Sequence, residues 1–310
     1  MMIKSVMTEN FHPIPIRLLQ DGLIPPIDLF IQRDEEDFPI LFLSQSLSCD
    51  KKMVHGLTER KIHQLWVRDR DYQTVTQHLN QNLPAIIRNT SIPLPSRCSI
   101  TYDLSLVVMQ QVFEAADPIQ VVKASQEILQ NIIELIFSDE HAAYQFLTIA
   151  SKDYALYSHS INVCLYGMAL ALRALHISKE EALTRFGPGF LLHDIGKLAV
   201  PQEILQKVEP LTVEEMELIM QHPQKALEMV ERTMQISEEM GSMILYHHER
   251  LDGSGYLSGL RQDEISIPAR ICAVVDTFDA INTNRPYQAR RPTFEAFRIM
   301  KEQEIPHRLD

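Results

Sequence analysis

Apolar positions change their spacing about a third of the way along the chain. From residue 103 onward they recur every three or four residues, at Leu104, Val107, Val108 and Val112, then Val121, Ile128, Leu129, Ile132, Ile133 and Ile136. That period lines one face of an α-helix and predicts a succession of amphipathic helices. Asp117-Pro118 opens one of them, with the aspartate as cap and the proline in the first turn. The earlier part reads differently. Short apolar runs at residues 14–19, 27–31 and 40–43 sit between Pro, Gly and Asp and predict strands. A short helix over 58–65, a strand at Leu65-Trp66-Val67 and a helix over 72–87 complete a small α/β, or α+β, unit. Residues 89–102, with Pro93, Pro95 and several Ser and Thr, have linker chemistry. The expected organisation is an accessory or regulatory domain over residues 1–92, then an all-helical bundle over 93–310. Gly253, Gly255 and Gly259 cluster in one irregular loop of the second half, and no internal repeat is visible.

Composition narrows the function classes. With 45% apolar and 23% charged residues in 310, the chain is an ordinary globular one. A formal charge of -12 argues against capture of a long nucleic acid, while leaving room for a local basic pocket that takes a small phosphate ligand. Cys49, Cys98, Cys164 and Cys272 are far apart and read as reduced thiols of a cytosolic protein. The first nineteen residues lack the pattern of a signal peptide, and no apolar run reaches the roughly 18 to 20 residues of a membrane span. A cytoplasmic location is therefore expected.

The chemistry concentrates in two stretches, His193-Asp194-Ile195-Gly196-Lys197 and His247-His248-Glu249-Arg250-Leu251-Asp252-Gly253-Ser254-Gly255-Tyr256. Adjacent His and Asp in an apolar helical setting are two strong metal ligands placed where burial is otherwise costly. His159, His193, Asp194, His222, His247, His248 and Asp276 form the candidate ligand set. That is too many for one ion and suits two cations roughly 3.5 to 4 Å apart sharing a carboxylate, an arrangement fitted to attack on a phosphodiester. Lys197, three residues after Asp194, faces the same side and brings an ammonium to the attacked phosphate. Single histidines such as His63, His78 and His176 are ordinary surface or core residues by the same reasoning, and His222 gains weight only from its company. Of the two carboxylates in the apolar run around Val275, Asp276 is the better ligand and Asp279 the better support for the fold.

At these residues the chain resembles the HD-GYP family, a subgroup of the HD phosphohydrolase superfamily that hydrolyses cyclic di-GMP in bacterial signalling. The resemblance runs from about residue 157 to 287 and includes Gln221-His222-Pro223, Ile267-Pro268-Ala269-Arg270-Ile271, Asp276-Thr277-Phe278-Asp279-Ala280 and Arg285-Pro286-Tyr287. It implies a helical bundle in which Asp194 bridges two metals, with His159, His193 and Asp276 at one and His222, His247 and His248 at the other. Lys197, Tyr256 and Arg285 match substrate-facing positions, and Asp153 falls where the family often has an aspartate near the attacking water. The catalytic set implied is Lys197, Asp194 and Asp153. Three departures stand out: Leu257 replaces the proline of Gly-Tyr-Pro, which frees the loop's backbone; Gln288 replaces a basic residue; and the chain ends at Asp310, short of the family's last helical segment. Ala155 stands where members with a third ion carry a glutamate, so two ions are expected. Five imidazoles and two carboxylates suit iron or manganese foremost, and zinc also. The implied activity is a metal-dependent phosphodiesterase opening cyclic di-GMP to pGpG and onward to GMP, with signalling proteins as partners of the N-terminal domain. The rival is a receptor or adaptor that keeps the metal centre and signals through protein contacts. A different HD-type nucleotide phosphohydrolase is disfavoured by the loop from Gly253 to Tyr256.

Overall fold

The computed structural model describes residues 10–19, 25–32, 39–47, 51–150, 155–284, 290–305 and 307–310. The chain divides into two compact units, Met1–Val108 and Met109–Asp310. The first is built on β1 (Phe11–Pro15), β2 (Leu29–Ile31), β3 (Ile40–Leu43), α1 (Lys51–Glu59), β4 (Gln64–Arg68) and α2 (Asp69–Arg88), with α3 (Leu94–Glu114) crossing the division. The strands form one sheet in the order β1-β4-β2-β3, antiparallel throughout. Pro13 and Pro15 lie on β1 at the edge of this sheet, the place where a missing N–H does least harm. Leu65 and Val67 alternate inward from β4, and Tyr72, Val75, Leu79, Leu83, Ile86 and Ile87 bury one face of α2 at helical spacing.

Several expected boundaries move. The run at 14–19 splits into the end of β1 and a 3-10 turn (Ile16–Leu19), and the run at 27–31 is strand only over β2. The helix expected over 58–65 lies earlier, as α1, and stops because Lys61 adopts a left-handed φ of 59° while the Lys61 and Ile62 amides donate back to Thr58 and Leu57. The linker reading of 89–102 is overturned. Pro95 sits in the first turn of α3, where an absent N–H breaks no helical bond, so the prolines start a helix. The Arg97 guanidinium then donates to the Ile87 and Ile92 carbonyls, tying the end of α2 to the start of α3.

The second unit is helical, as the apolar period predicts. It comprises α4 (Pro118–Ser138), α5 (Ala142–Ile149), α6 (Leu156–Leu175), the one-turn α7 (Lys179–Glu181), a π turn (Ala182–Phe186), α8 (Gly187–Leu192), a 3-10 turn (Ile195–Ala199), the short α9 (Gln202–Leu205), α10 (Val213–Met220), α11 (His222–Glu231), α12 (Glu238–Tyr246), α13 (Ile267–Asn282) and α14 (Thr293–Ile299). Asp117 caps α4 by accepting the Ile119 amide at 3.0 Å. Around α6, α8, α12 and α13, which pack on one another, sits a core that includes Ile161, Leu165, Phe190, Leu191, Ile244 and Cys272. No helix among the described residues is long and apolar enough to cross a membrane. Cys98, Cys164 and Cys272 are free buried thiols, and Cys49 lies outside the described residues.

The 3-10 turn after α8 packs directly on α11 through Gly196. A Cβ there lies 1.9 Å from the His222 carbonyl oxygen and 2.6 Å from the Ala226 nitrogen, both backbone atoms that cannot swing aside. Gly196→Ala should therefore push α11 away, costing about 1 to 3 kcal/mol or more. Thermal unfolding should register this as a fall of roughly 5 °C in Tm; an unchanged Tm refutes the close packing.

Candidate metal centre

Five helical segments deliver the site. His159 comes from the first turn of α6, His193 and Asp194 from the residues just past α8, and His222 from the start of α11, immediately beyond α10. His247 and His248 follow the end of α12, and Asp276 lies on α13. His193 and Asp194 thus do not continue a helix, as the apolar stretch suggests; α8 ends at Leu192 and the chain turns over them into the 3-10 turn that carries Lys197.

The Asp194 carboxylate is the centre of the arrangement. Its Oδ2 lies 3.3 Å from His159 Nε2 and 3.5 Å from His193 Nε2, while its Oδ1 lies 3.0 Å from His222 Nε2 and 3.7 Å from His247 Nε2. Each oxygen therefore faces a different pair of imidazoles. Asp276 directs Oδ1 to His159 Nε2 at 3.2 Å and Oδ2 to His248 Nδ1 at 3.9 Å. Donor atoms of His159, His193 and Asp194 lie within 4.8 Å of one another, and so do those of Asp194, His222, His247 and His248. Lys197 Nζ sits 2.6 Å from Asp194 Oδ2. The Tyr256 ring stacks on His248, with centroids 4.6 Å apart. Asp153, Arg285 and Gln288 lie outside the described residues.

Three of the imidazoles are oriented by one local device. His193 Nδ1 lies 2.8 Å from the Phe190 carbonyl, His222 Nδ1 2.7 Å from that of Ile219, and His247 Nδ1 2.9 Å from that of Ile244. Each acceptor belongs to the last four carbonyls of its helix, which lack the amide of a further helical turn. A carbonyl only accepts, so Nδ1 carries the proton and Nε2 keeps a bare lone pair aimed at the centre. His159 sits inside α6, and a side chain takes this role: Asp279 Oδ2 accepts from His159 Nδ1 at 2.7 Å, and Asn162 Nδ2 holds the other Asp279 oxygen at 2.9 Å. Sequence reasoning gave Asp279 to the fold and missed Asn162. The signal was available, since His159 and Asn162, like Asp276 and Asp279, are three apart and share a helix face.

Electrostatics keep these groups ready for a cation. Burial holds His193 down to about 3, and it also lowers His222 and His248 below the usual imidazole value. Burial works to raise the Asp194 carboxyl, but the Lys197 ammonium and the His193, His159 and His222 imidazoles outweigh it and hold that group well below 3.8. The Asp276 carboxyl is likewise held low against burial by the His159, His248 and His193 imidazoles around it. Neutral rings and ionised carboxylates are the forms that bind metal. The bare lone pairs make the same point geometrically. His222 Nε2 faces an Asp194 oxygen at 3.0 Å and His247 Nε2 at 3.2 Å, acceptors that repel unless a cation lies among them. His193 Nε2 and His248 Nε2 are buried with no hydrogen-bond partner among the described residues. The residues present fit a metal.

Comparison with known proteins follows the same line. Residues 149–310 match the family model described as HD domain. The chain is 38% identical over 178 residues to a cyclic di-GMP phosphodiesterase of Pseudomonas aeruginosa, covering 57% of this chain and 42% of that protein. It is 46% identical over 108 residues to a cyclic di-GMP phosphodiesterase of Thermotoga maritima, covering 34% and 29%. A 3'3'-cGAMP-specific phosphodiesterase of Vibrio cholerae is 36% identical over 166 residues, covering 52% and 37%. The chain spans less than half the length of these curated relatives. In fold it resembles Bd1817, an HDG"Y"P protein from Bdellovibrio bacteriovorus, with a TM-score of 0.69 at 18% identity over 96% of this chain and 95% of that one.

Two outcomes follow from the geometry. Asp279→Ala leaves His159 Nδ1 without its acceptor and should weaken metal binding about 10- to 100-fold, with far-UV circular dichroism unchanged; equal metal content by elemental analysis at limiting metal refutes the orienting role. In metal-free protein, a histidine held at about 3 adds stability that is full above its unfolded value of 6.5 and is lost as pH falls from 6.5 towards 3. Chelator-treated protein should accordingly show a falling Tm between pH 7 and pH 5, and saturating metal should flatten that slope.

Proposed function

From the premise that the chain belongs to the HD domain family, we propose that it is a metal-dependent phosphodiesterase that opens cyclic di-GMP to linear pGpG and onward to GMP. The observation that carries this reading is the Asp194 carboxylate, whose two oxygens face two separate sets of imidazoles at 3.0 to 3.7 Å. Two ions would be held here by Asp194, one together with His159, His193 and Asp276 and the other together with His222, His247 and His248. Iron or manganese suits this donor set foremost, with zinc next. When bound, the ions supply Lewis-acid polarisation of a phosphoryl oxygen and acidify a water.

The chain's own residues do the rest. Lys197, 2.6 Å from Asp194, keeps that carboxylate ionised and sets a positive charge where the phosphorus gathers negative charge. Tyr256, flat on His248, forms a wall against which the dinucleotide is placed and from which water is excluded. Arg285 is assigned to phosphate oxygens, and Asp153 to the proton of the attacking water. Attack by water on one bridging phosphorus breaks its bond to the 3′ oxygen, which leaves with a proton; the 5′-phosphate of pGpG results. Residues 1–92 are assigned to contact with signalling proteins, and the cytoplasm to the site of action. The relatives named for cyclic di-GMP and for 3'3'-cGAMP support a cyclic purine dinucleotide as the substrate class.

Protein purified without oxygen should contain two divalent ions per chain and hydrolyse cyclic di-GMP faster than 3'3'-cGAMP. His193→Ala and Asp194→Ala should each lose metal and at least about 10³-fold in kcat, while helical content stays intact. A fully metallated sample that binds cyclic di-GMP without turning it over removes the enzyme reading and leaves the receptor. Preference for 3'3'-cGAMP corrects the substrate.

A further inference from the structure

Glu249 has no part in the ligand set, yet its carboxylate is 1% exposed. Its Oε1 accepts the amides of Ser258 at 2.7 Å and Gly259 at 3.2 Å, and its Oε2 accepts that of Leu260 at 3.0 Å. Three consecutive backbone N–H groups thus converge on one buried anion, which is how a carboxylate without a cation is made tolerable in a protein interior. What these amides belong to gives the contact its meaning. They close the loop that starts after Arg250 and carries Tyr256.

That loop is laid back on the segment holding His247 and His248. The Tyr256 amide meets the His248 carbonyl at 3.4 Å, and the Gly253 amide donates to the Arg250 carbonyl at 2.8 Å. At Gly255 the approach is so close that a Cβ falls 2.4 Å from Glu249 Cα and 2.5 Å from the His248 oxygen. Gly253 and Gly259, at φ of 77° and 67°, turn the chain at either side. Leu257 does not free this loop, because the three residues after it are held by Glu249.

We infer that Glu249 is a positioning residue: by clamping the backbone of residues 258–260 it fixes the loop so that the Tyr256 ring lies on His248. It acts through Tyr256 and touches neither metal donor atoms nor reacting groups. Its effect on substrate rests on the phosphodiesterase reading; the clamp itself does not.

The test compares Glu249→Ala and Glu249→Gln with the parent protein in three measurements: metal content, amide hydrogen exchange of residues 253–260, and steady-state kinetics with cyclic di-GMP. Alanine removes all three acceptors. Glutamine keeps Oε1 for Ser258 and Gly259 but turns an amide N–H₂ towards the Leu260 N–H, so it rescues in part. Glu249→Ala should retain its metal, exchange the loop amides at least about tenfold faster and raise KM about tenfold with a smaller change in kcat, and Glu249→Gln should fall between. Tyr256→Ala should raise KM in the parent and add nothing in the Glu249→Ala background, since the ring is already displaced. Unchanged loop exchange overturns the clamp, and additive effects of the two substitutions overturn the action through Tyr256. Metal loss in both Glu249 variants overturns it too, assigning Glu249 to the ligand segment. If Glu249→Ala does not fold, Glu249→Gln decides by the same criteria. Absence of turnover in the parent protein counts against the phosphodiesterase reading alone; exchange and the dissociation constant for cyclic di-GMP then decide the clamp.

Discussion

A carboxylate with no exposed surface, surrounded by imidazoles whose lone pairs point at it, is the constraint around which the second unit is arranged. Asp194 is fully buried, and an isolated anion there costs several kcal/mol in desolvation. Lys197 offsets part of that charge, and the clustered imidazoles leave room for a metal to offset the rest. α8 ends at Leu192: His193 still has helical dihedrals, and Asp194, at φ of -103° and ψ of 2°, turns the chain out of them. The next turn then needs Gly196, because only a residue without a side chain lets the carbonyl of His222 approach so near. The glycine of His-Asp-Ile-Gly-Lys is thus a packing requirement set by the position of another ligand.

The helices of the second unit were legible because their driving force is local: a stripe of apolar residues buries itself at the period of the helix, and Asp117-Pro118 marks its start. The candidate donors stood out in the sequence because few other reasons place His and Asp side by side among Leu and Phe, and the structure brings them together. What the sequence hid depends on distance along the chain or on the backbone. Pro95 and its neighbours look like linker until Arg97 is seen reaching the Ile87 carbonyl, a contact no periodicity encodes. Asp279 looks like a fold residue until His159, far away in sequence, appears on its oxygen. Glu249 looks like one more charge in a polar loop, since a motif does not say that its partners are amides of residues 258–260. The strands of the first unit are short, and tertiary pairing set their ends more than propensity did.

The loop and the ligands share a common economy of parts. His247, His248 and Glu249 are consecutive, and they face respectively the centre, the Tyr256 ring and the loop backbone. A single short segment therefore carries two of the candidate donors and the carboxylate that holds the Tyr256 loop.

Main-chain and side-chain orientation of the imidazoles differ in how they respond to genetic change. The carbonyls of Phe190, Ile219 and Ile244 survive any substitution at those positions, so sequence drift cannot delete the partners of His193, His222 and His247. The partner of His159 is a carboxylate and is open to replacement. Substitution can therefore reach the orientation of His159 at the seam between α6 and α13, whereas the orientation of His193, His222 and His247 is inherited with the main chain.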